Sequence, residues 1–133
     1  MYRFSKESKK RLLRAEQSLQ LICFDAIESI DFKVLESYRT PQRQMQLLQE
    51  GRTKVKYSKH MYDPSKAIDI EPYPRPADGW KKERDLRRFY FLAGVMKRCA
   101  DAREIKIRWG GDWDGDFDYN DNNFDDLFHY EIL

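Results

Sequence analysis

Apolar residues recur at intervals of three and four along the first part of the chain, the spacing of one face of an α-helix. The pattern predicts a single amphipathic helix running roughly from Ser5 to Ser29, with Ser5 as its N-cap. Cys23 belongs to its apolar face, and Cys99 to that of a later predicted helix, so both are expected to be buried free thiols. The inward face comprises Leu12, Leu13, Leu19, Ile22, Cys23, Ala26, Ile27 and Ile30.

Further along, the pattern changes between the two-residue period of a strand and the longer period of a helix. Strands are predicted over 32–38, 67–71, 105–109 and 128–133. Helices are predicted over 40–50, where Thr40-Pro41 begins the helix, and over 82–102. A basic loop, 52–66, and a long acidic loop, 110–125, connect these elements. We therefore expect one α+β domain over 1–133, in which about three helices pack on a small antiparallel sheet.

The composition is that of a well-solvated globular domain: 41% of the 133 residues are hydrophobic, 36% are charged, and the formal net charge is +2. Basic residues are concentrated in 1–14, which indicates either an anionic partner or the solvated face of the first helix. Because the chain has no regularly spaced aromatic-basic pattern, we expect no nucleic-acid partner. No apolar run is long enough for a signal peptide or a membrane span, so neither is expected, nor any stable membrane association.

Both histidines of the chain, His60 and His129, fall in short segments that also carry carboxylates. Taken singly, His60 is most simply interpreted as a solvated loop histidine, and His129 as a partly buried strand histidine. Asp69 changes this balance, because it lies between two isoleucines on a short apolar strand, where an unpaired carboxylate is costly to bury. Two imidazoles and one carboxylate are the three protein ligands of a hydrolytic zinc site that leaves a position for water. We therefore expect a mononuclear zinc hydrolase.

Further polar residues could support such a site. Glu131 follows His129 by two residues on the same strand face, so it could accept the ring N–H of that ligand, or be a salt-bridged surface residue. Asp126 or its neighbour Asp125 could exchange a proton with the activated water, and spacing does not choose between them. Arg39 could anchor a substrate carboxylate or an oxyanion, or pair with a surface acid where the helix begins.

Four short segments carry these residues in order along the chain. They are Ser37-Tyr38-Arg39-Thr40 followed by Gln42; Ser58-Lys59-His60 with Ala67-Ile68-Asp69-Ile70 and Pro72-Tyr73-Pro74; Arg108-Trp109-Gly110-Gly111-Asp112-Trp113; and Asp126-Leu127-Phe128-His129-Tyr130-Glu131. From about Phe32 to Leu133 the chain thereby resembles the zinc peptidase family of D-alanyl-D-alanine carboxypeptidases and phage L-alanyl-D-glutamate endopeptidases. The resemblance implies that His60, Asp69 and His129 bind zinc, that Asp126 rather than Asp125 is the general base, and that Arg39 binds or polarises the substrate.

The resemblance further implies a peptidoglycan peptidase that attacks a carbonyl of the stem peptide, with Asp126 protonating the leaving amine. The expected bond is L-alanyl-D-glutamate, cut in the manner of a phage endolysin during host lysis. We expect a monomer that waits in the host cytoplasm until another factor opens the membrane. Two alternatives stay open: a D-alanyl-D-alanine carboxypeptidase or dipeptidase, and a non-catalytic wall-binding module held together by a structural zinc.

Two loops add to this picture. The loop between His60 and Asp69 is longer than in many relatives and lacks a Gly, so it is expected to reshape the rim of the cleft. It also brings Asp63 as a rival ligand. The acidic segment 112–123 alternates Asp with other residues and could bind Ca²⁺ through its oxygen donors. Since it departs from the EF-hand pattern, a solvated acidic loop is the alternative interpretation.

Overall fold

The computed structural model describes residues 2–115 and 125–133. The elements in this part are α1 (Lys6–Leu12), α2 (Gln17–Ala26), β1 (Phe32–Glu36), α3 (Pro41–Gln49), a 3-10 helix (Lys59–Met61), β2 (Ala67–Pro72), α4 (Glu83–Ala102), β3 (Ile107–Gly110) and β4 (Asp126–Ile132). The sheet order is β1-β2-β4-β3, with every neighbouring pair antiparallel. The predicted α+β architecture is confirmed. Among the described residues, no helix is both long and apolar enough to cross a membrane.

The prediction of one long N-terminal helix is wrong, because α1 ends at Leu12 and α2 begins only after Glu16. Between them, the Arg14 carbonyl accepts a hydrogen bond from the Ser65 amide (2.9 Å), and the Glu16 amide donates to the Ser65 carbonyl (2.8 Å). Backbone groups paired with the segment before β2 cannot also continue a helical ladder. Leu13, expected on the inward face, is consequently 54% exposed.

The alternation of residues along the strands gives the sheet an apolar and a polar face. On the apolar face β2 contributes Ile68 and Ile70, each fully buried against the helical layer and each stabilising the fold by roughly 1.5–3 kcal/mol. Asp69 lies between them and therefore points to the opposite face. Cys23 is buried in the core, whereas Cys99 is only partly buried, so the prediction of burial is confirmed for Cys23 alone. Other core residues are Leu19, Ile22, Phe89, Leu92, Met96, Ala100 and Tyr130.

Helix α1 covers the outer edge of β1. The Val34 amide donates to the Ser8 hydroxyl (3.0 Å), and Arg11 Nη1 donates to the Val34 carbonyl (3.1 Å). The Ser37 hydroxyl in turn donates to the Arg11 carbonyl. These contacts satisfy backbone groups that an edge strand would otherwise leave open. They also hold the end of β1, and with it Ser37, in place beside the polar face.

Candidate metal centre

His60, Asp69 and His129 lie on three different elements that meet on the polar face of the sheet. His60 is in the 3-10 helix, Asp69 in β2 and His129 in β4, where Asp69 and His129 are directly opposite in register. One potential ligand atom from each residue lies within 4.8 Å of the others. Both histidines are buried. The three residues that the sequence predicted as ligands are thus brought within the reach of one metal ion.

The orientation of His60 is set by its own backbone and by the end of β1. The Ser58 hydroxyl caps the 3-10 helix by accepting from the His60 amide (3.2 Å), and the His60 carbonyl accepts from the Arg39 amide (2.8 Å). His60 Nδ1 lies 2.6 Å from the Ser37 carbonyl. Because a carbonyl can only accept, Nδ1 carries the hydrogen, and Nε2 is left to bind a cation.

His129 is held in the same way by a carboxylate. Its Nε2 lies 2.8 Å from Glu131 Oε1, so this nitrogen donates and Nδ1 turns toward the cluster. Glu131 also pairs with Lys59 (3.3 Å). Burial raises the pKa of its carboxyl, but the contacts with His129 and Lys59 outweigh burial and hold the pKa below the ordinary value. Both roles that the sequence left open for Glu131 are therefore present, since it accepts from His129 and also forms a salt bridge.

The inner atoms of the cluster are all potential acceptors. Asp69 Oδ1 lies 3.3 Å from His60 Nε2 and 3.4 Å from His129 Nδ1, so their lone pairs repel unless positive charge lies between them. Burial opposes ionisation of Asp69, but hydrogen bonds from His129 and His60, which form when the inner nitrogens carry a proton, hold the pKa of its carboxyl well below the ordinary value. Burial likewise lowers the pKa of His129, but hydrogen bonds with Asp69 and Glu131 outweigh it and raise the pKa to about 9. The site is built for positive charge, which a metal ion or a proton can supply.

This donor set fits zinc. Two imidazole nitrogens and a carboxylate oxygen suit late transition metals, whereas Mg²⁺ and Ca²⁺ prefer oxygen ligands. Three protein ligands leave a coordination position open for water or substrate. Asp63, the rival ligand, is exposed and pairs with Arg14 at 3.5 Å, so it lies outside the cluster.

Asp126 and Asp125, which spacing alone could not separate, lie in different surroundings. Strand β4 begins at Asp126, earlier than the predicted start at Phe128. Asp126 is half-buried and interacts electrostatically with Asp69, whereas Asp125 is exposed. Burial, reinforced by the negative charge of Asp69, raises the pKa of the Asp126 carboxyl. A carboxyl in this position can hold and release a proton, which favours Asp126.

Arg39 lies beside the cluster, with Nη2 3.9 Å from Asp69 Oδ2. Its Nε and Nη2 donate to the two carboxylate oxygens of Glu36 (2.6 and 3.1 Å), and Nη1 donates to Gln44 Oε1 (2.8 Å). Of the five N–H groups of a guanidinium, these bonds use three and leave one on Nη1 and one on Nη2. The acid pairing that the sequence left open is therefore present, and it holds Arg39 next to the proposed metal ligands.

Sequence reasoning missed Glu36 and Gln44. Glu36 is opposite Asp69 in the sheet only because a bulge between Val34 and Glu36 shifts the register, and simple alternation does not reveal such a bulge. Gln44 is 1% exposed, and the helical period places it with Leu47 on the inward face of α3. A polar residue on that face was the signal that could have identified it.

The Gly110-Gly111 pair allows β3 to meet the start of β4. A Cβ on Gly110 would lie 1.9 Å from the Asp126 carbonyl oxygen. A Cβ on Gly111 would lie 2.5 Å from the Trp109 indole. Any side chain at Gly110 would therefore push on the backbone of Asp126.

The acidic segment begins beside the cluster. The Trp113 ring is tilted against His129, with ring centroids 5.4 Å apart. Of the expected calcium segment 112–123, residues from Asp116 onward lie outside the described residues. The calcium prediction therefore stays a prediction.

The chain is similar to known proteins over most of its length. A family model described as phage L-alanyl-D-glutamate peptidase matches residues 1–133. The L-alanyl-D-glutamate peptidase of Escherichia phage T5 is 29% identical over 123 residues, which are 90% of this chain and 88% of that protein. The crystal structure of the Serratia marcescens L-Ala D-Glu endopeptidase ChiX has a TM-score of 0.78 at 21% identity, covering 98% of this chain and 89% of that one. This last similarity shows a shared fold.

Proposed function

The chain belongs to the phage L-alanyl-D-glutamate peptidase family, and from this premise we propose that it works with a zinc ion held by His60, Asp69 and His129. The chain is a peptidase that acts on peptidoglycan, at the L-alanyl-D-glutamate bond of the stem peptide. This identity favours an open catalytic metal site over the closed structural zinc of a wall-binding module.

One observation carries the metal proposal. The outer nitrogens of both histidines are committed as donors, to Ser37 and to Glu131, so the inner nitrogens converge with Asp69 as a set of acceptors. A zinc ion held there would supply Lewis acidity, the chemistry that makes water acidic enough to lose a proton near neutral pH.

We assign proton transfer to Asp126. Its carboxylate takes a proton from the attacking water and later gives it to the amino group of the leaving D-glutamate. Burial and the charge of Asp69 raise the pKa of Asp126, so the carboxyl can keep the proton between the two steps.

We assign charge stabilisation to Arg39. Glu36 and Gln44 fix the guanidinium, and its remaining N–H groups on Nη1 and Nη2 can donate to a carboxylate or a developing oxyanion of the substrate. A donor that is already fixed in place requires little reorganisation when negative charge forms.

Mass spectrometry of fragments released from purified peptidoglycan, with and without a zinc chelator, tests this proposal. Release of peptides with a new N-terminal D-glutamate, lost with chelator and restored by zinc, is the expected result. Release that is insensitive to the chelator would exclude the metal. Loss of terminal D-alanine alone would move the substrate to that of a carboxypeptidase.

Three further properties are proposed. We propose that the enzyme is monomeric, which light scattering after gel filtration would check. We propose that it stays in the host cytoplasm until the membrane opens, which fractionation of infected cells would check. We propose that segment 112–123 binds Ca²⁺. A titration with a calcium chelator that leaves activity unchanged, with zinc kept saturating, would contradict this proposal.

A further inference from the structure

Gln44 is a buried amide with both of its ends in use. Its Oε1 accepts from Arg39 Nη1 at 2.8 Å, and its Nε2 donates to the Val55 carbonyl at 2.8 Å. The side chain is 1% exposed, so water does not compete for either bond. Gln44 therefore connects the guanidinium beside the metal cluster to the backbone of a neighbouring loop.

That loop comprises residues 51–58 and leads directly into the 3-10 helix that carries His60. We call it the rim loop. It is basic and exposed, with Arg52, Lys56 and Tyr57 among its exposed residues. A substrate that contains D-glutamate carries negative charge, so the placement of a basic loop beside the site affects how strongly the substrate binds.

We propose that Gln44 is a positioning residue for the peptidase reaction, because it ties Arg39 and the rim loop into one unit. Glu36 holds the Nε and Nη2 side of the guanidinium, and Gln44 holds Nη1. The two anchors together direct the remaining donors, while the bond from Gln44 to Val55 sets the rim loop in register with them. This inference rests on the proposed role of Arg39.

The two ends of the amide can be removed separately. Gln44→Glu keeps an acceptor for Arg39 but loses the donor to the Val55 carbonyl. Gln44→Met has a similar shape and keeps neither function. Gln46, which is on the same helix, is exposed, and among the hydrogen bonds described its side chain bonds only Arg43, so Gln46→Glu and Gln46→Met are matched controls.

The experiment measures kcat and KM on a soluble stem-peptide fragment, together with the rate of tryptic cleavage after Arg52 and Lys56. Zinc content and Tm are measured for each protein. For Gln44→Met we expect a kcat about tenfold lower, because the guanidinium loses its position, with a higher KM and faster cleavage. For Gln44→Glu we expect a kcat within about threefold of the unsubstituted protein, with a higher KM and faster cleavage.

The outcomes separate this inference from the proposal beneath it. Full activity of Arg39→Lys would contradict both the proposed role of Arg39 and this inference. Loss of activity in Arg39→Lys, with kinetics and cleavage rates alike in Gln44→Met and Gln46→Met, would overturn the inference alone. If Gln44→Met does not fold, Gln44→Glu decides, since an unchanged KM and cleavage rate in that variant would also overturn it.

Discussion

At the scale of single residues, Asp126 and Asp125 show how surroundings distinguish two identical side chains. Asp126 begins β4 and is half-buried near Asp69, while Asp125 is exposed. Asp126 interacts electrostatically with Asp69 and His129, and burial raises the pKa of its carboxyl, which supports the proposal that it acts as both acid and base.

Replacing Asp126 with Asn keeps the size of the side chain and removes its ability to exchange a proton. We expect kcat to fall by about 10²–10⁴-fold, the usual contribution of a general acid–base group, with zinc content unchanged. Steady-state kinetics and metal analysis check this, with Asp125→Asn as the control that retains activity. A similar loss in both variants would argue against Asp126 as the proton-transfer group.

At the scale of elements, the contact between β3 and β4 explains why residue 110 is a glycine. Gly110 pairs with Asp126, and an added Cβ would lie 1.9 Å from the Asp126 carbonyl oxygen, so the strands could not meet in this register. The conformation of the Gly110 backbone is therefore tied to the position of the residue to which proton transfer is assigned.

Gly110→Ala is expected to lower the free energy of unfolding by roughly 1–3 kcal/mol, because overpacking forces the backbone to shift. It should also lower kcat, since Asp126 moves with the start of β4. Urea unfolding and kinetics check both effects. In the control, Gly94→Ala, the added Cβ would meet no atom within 4 Å apart from the adjacent residues and nearby backbone of its own helix, and Ala in a helix should raise stability by about 0.5–1 kcal/mol. Equal stability of the two variants would contradict the steric argument.

Helices α2 and α4 are joined at their ends by an ion pair. Arg103 Nε and Nη2 donate to the two carboxylate oxygens of Asp25 (2.6 and 3.0 Å), and this hydrogen bonding lowers the pKa of Asp25. A group whose pKa is lowered by folding adds stability above its unfolded pKa, and the stability is lost as the pH falls through the folded pKa.

Asp25→Asn should therefore lower the urea midpoint slightly at pH 7, and the difference from the unsubstituted protein should shrink toward zero as the pH falls below about 4. The effect is small because both side chains are partly exposed. Urea unfolding over a series of pH values checks this, at a fixed zinc concentration. A difference that grows toward low pH would have the wrong sign for this ion pair.

At the scale of the whole molecule, the metal cluster joins distant parts of the chain. Its proposed ligands come from the 3-10 helix, β2 and β4, so a bound ion would cross-link segments that are distant in the sequence. A ligand that binds only the folded chain stabilises it by mass action.

Zinc at a hundredfold excess over its Kd should stabilise the protein by about 2.7 kcal/mol. For a chain of this length, that corresponds to a rise in Tm of about 10 °C. Thermal unfolding with and without zinc checks the expectation. Asp69→Asn should lose most of the rise, whereas Asp63→Asn should keep it, because Asp63 pairs with Arg14 outside the cluster. A rise that survives in Asp69→Asn would place the zinc elsewhere.

Much of the fold could be read from local pattern, since hydrophobic period and capping residues act within a few positions. Strand β2, helix α3 and helix α4 were predicted nearly to their ends. The break between α1 and α2 could not be predicted, because it depends on hydrogen bonds with Ser65, far along the chain. The bulge that brings Glu36 opposite Asp69 could not be predicted either, because it depends on the pairing of β1 with β2, a strand far along the chain.

By itself the sequence determined the α+β class, the proposed ligands His60, Asp69 and His129, and the resemblance that named the peptidase. It could do so because these depend on residue type, local spacing and motif order. Only the tertiary structure decided which nitrogen of each histidine faces the cluster, which of two adjacent carboxylates is half-buried, and how Glu36 and Gln44 hold Arg39. Those features depend on contacts between residues distant in the chain or on burial, and both exist only once the elements have packed.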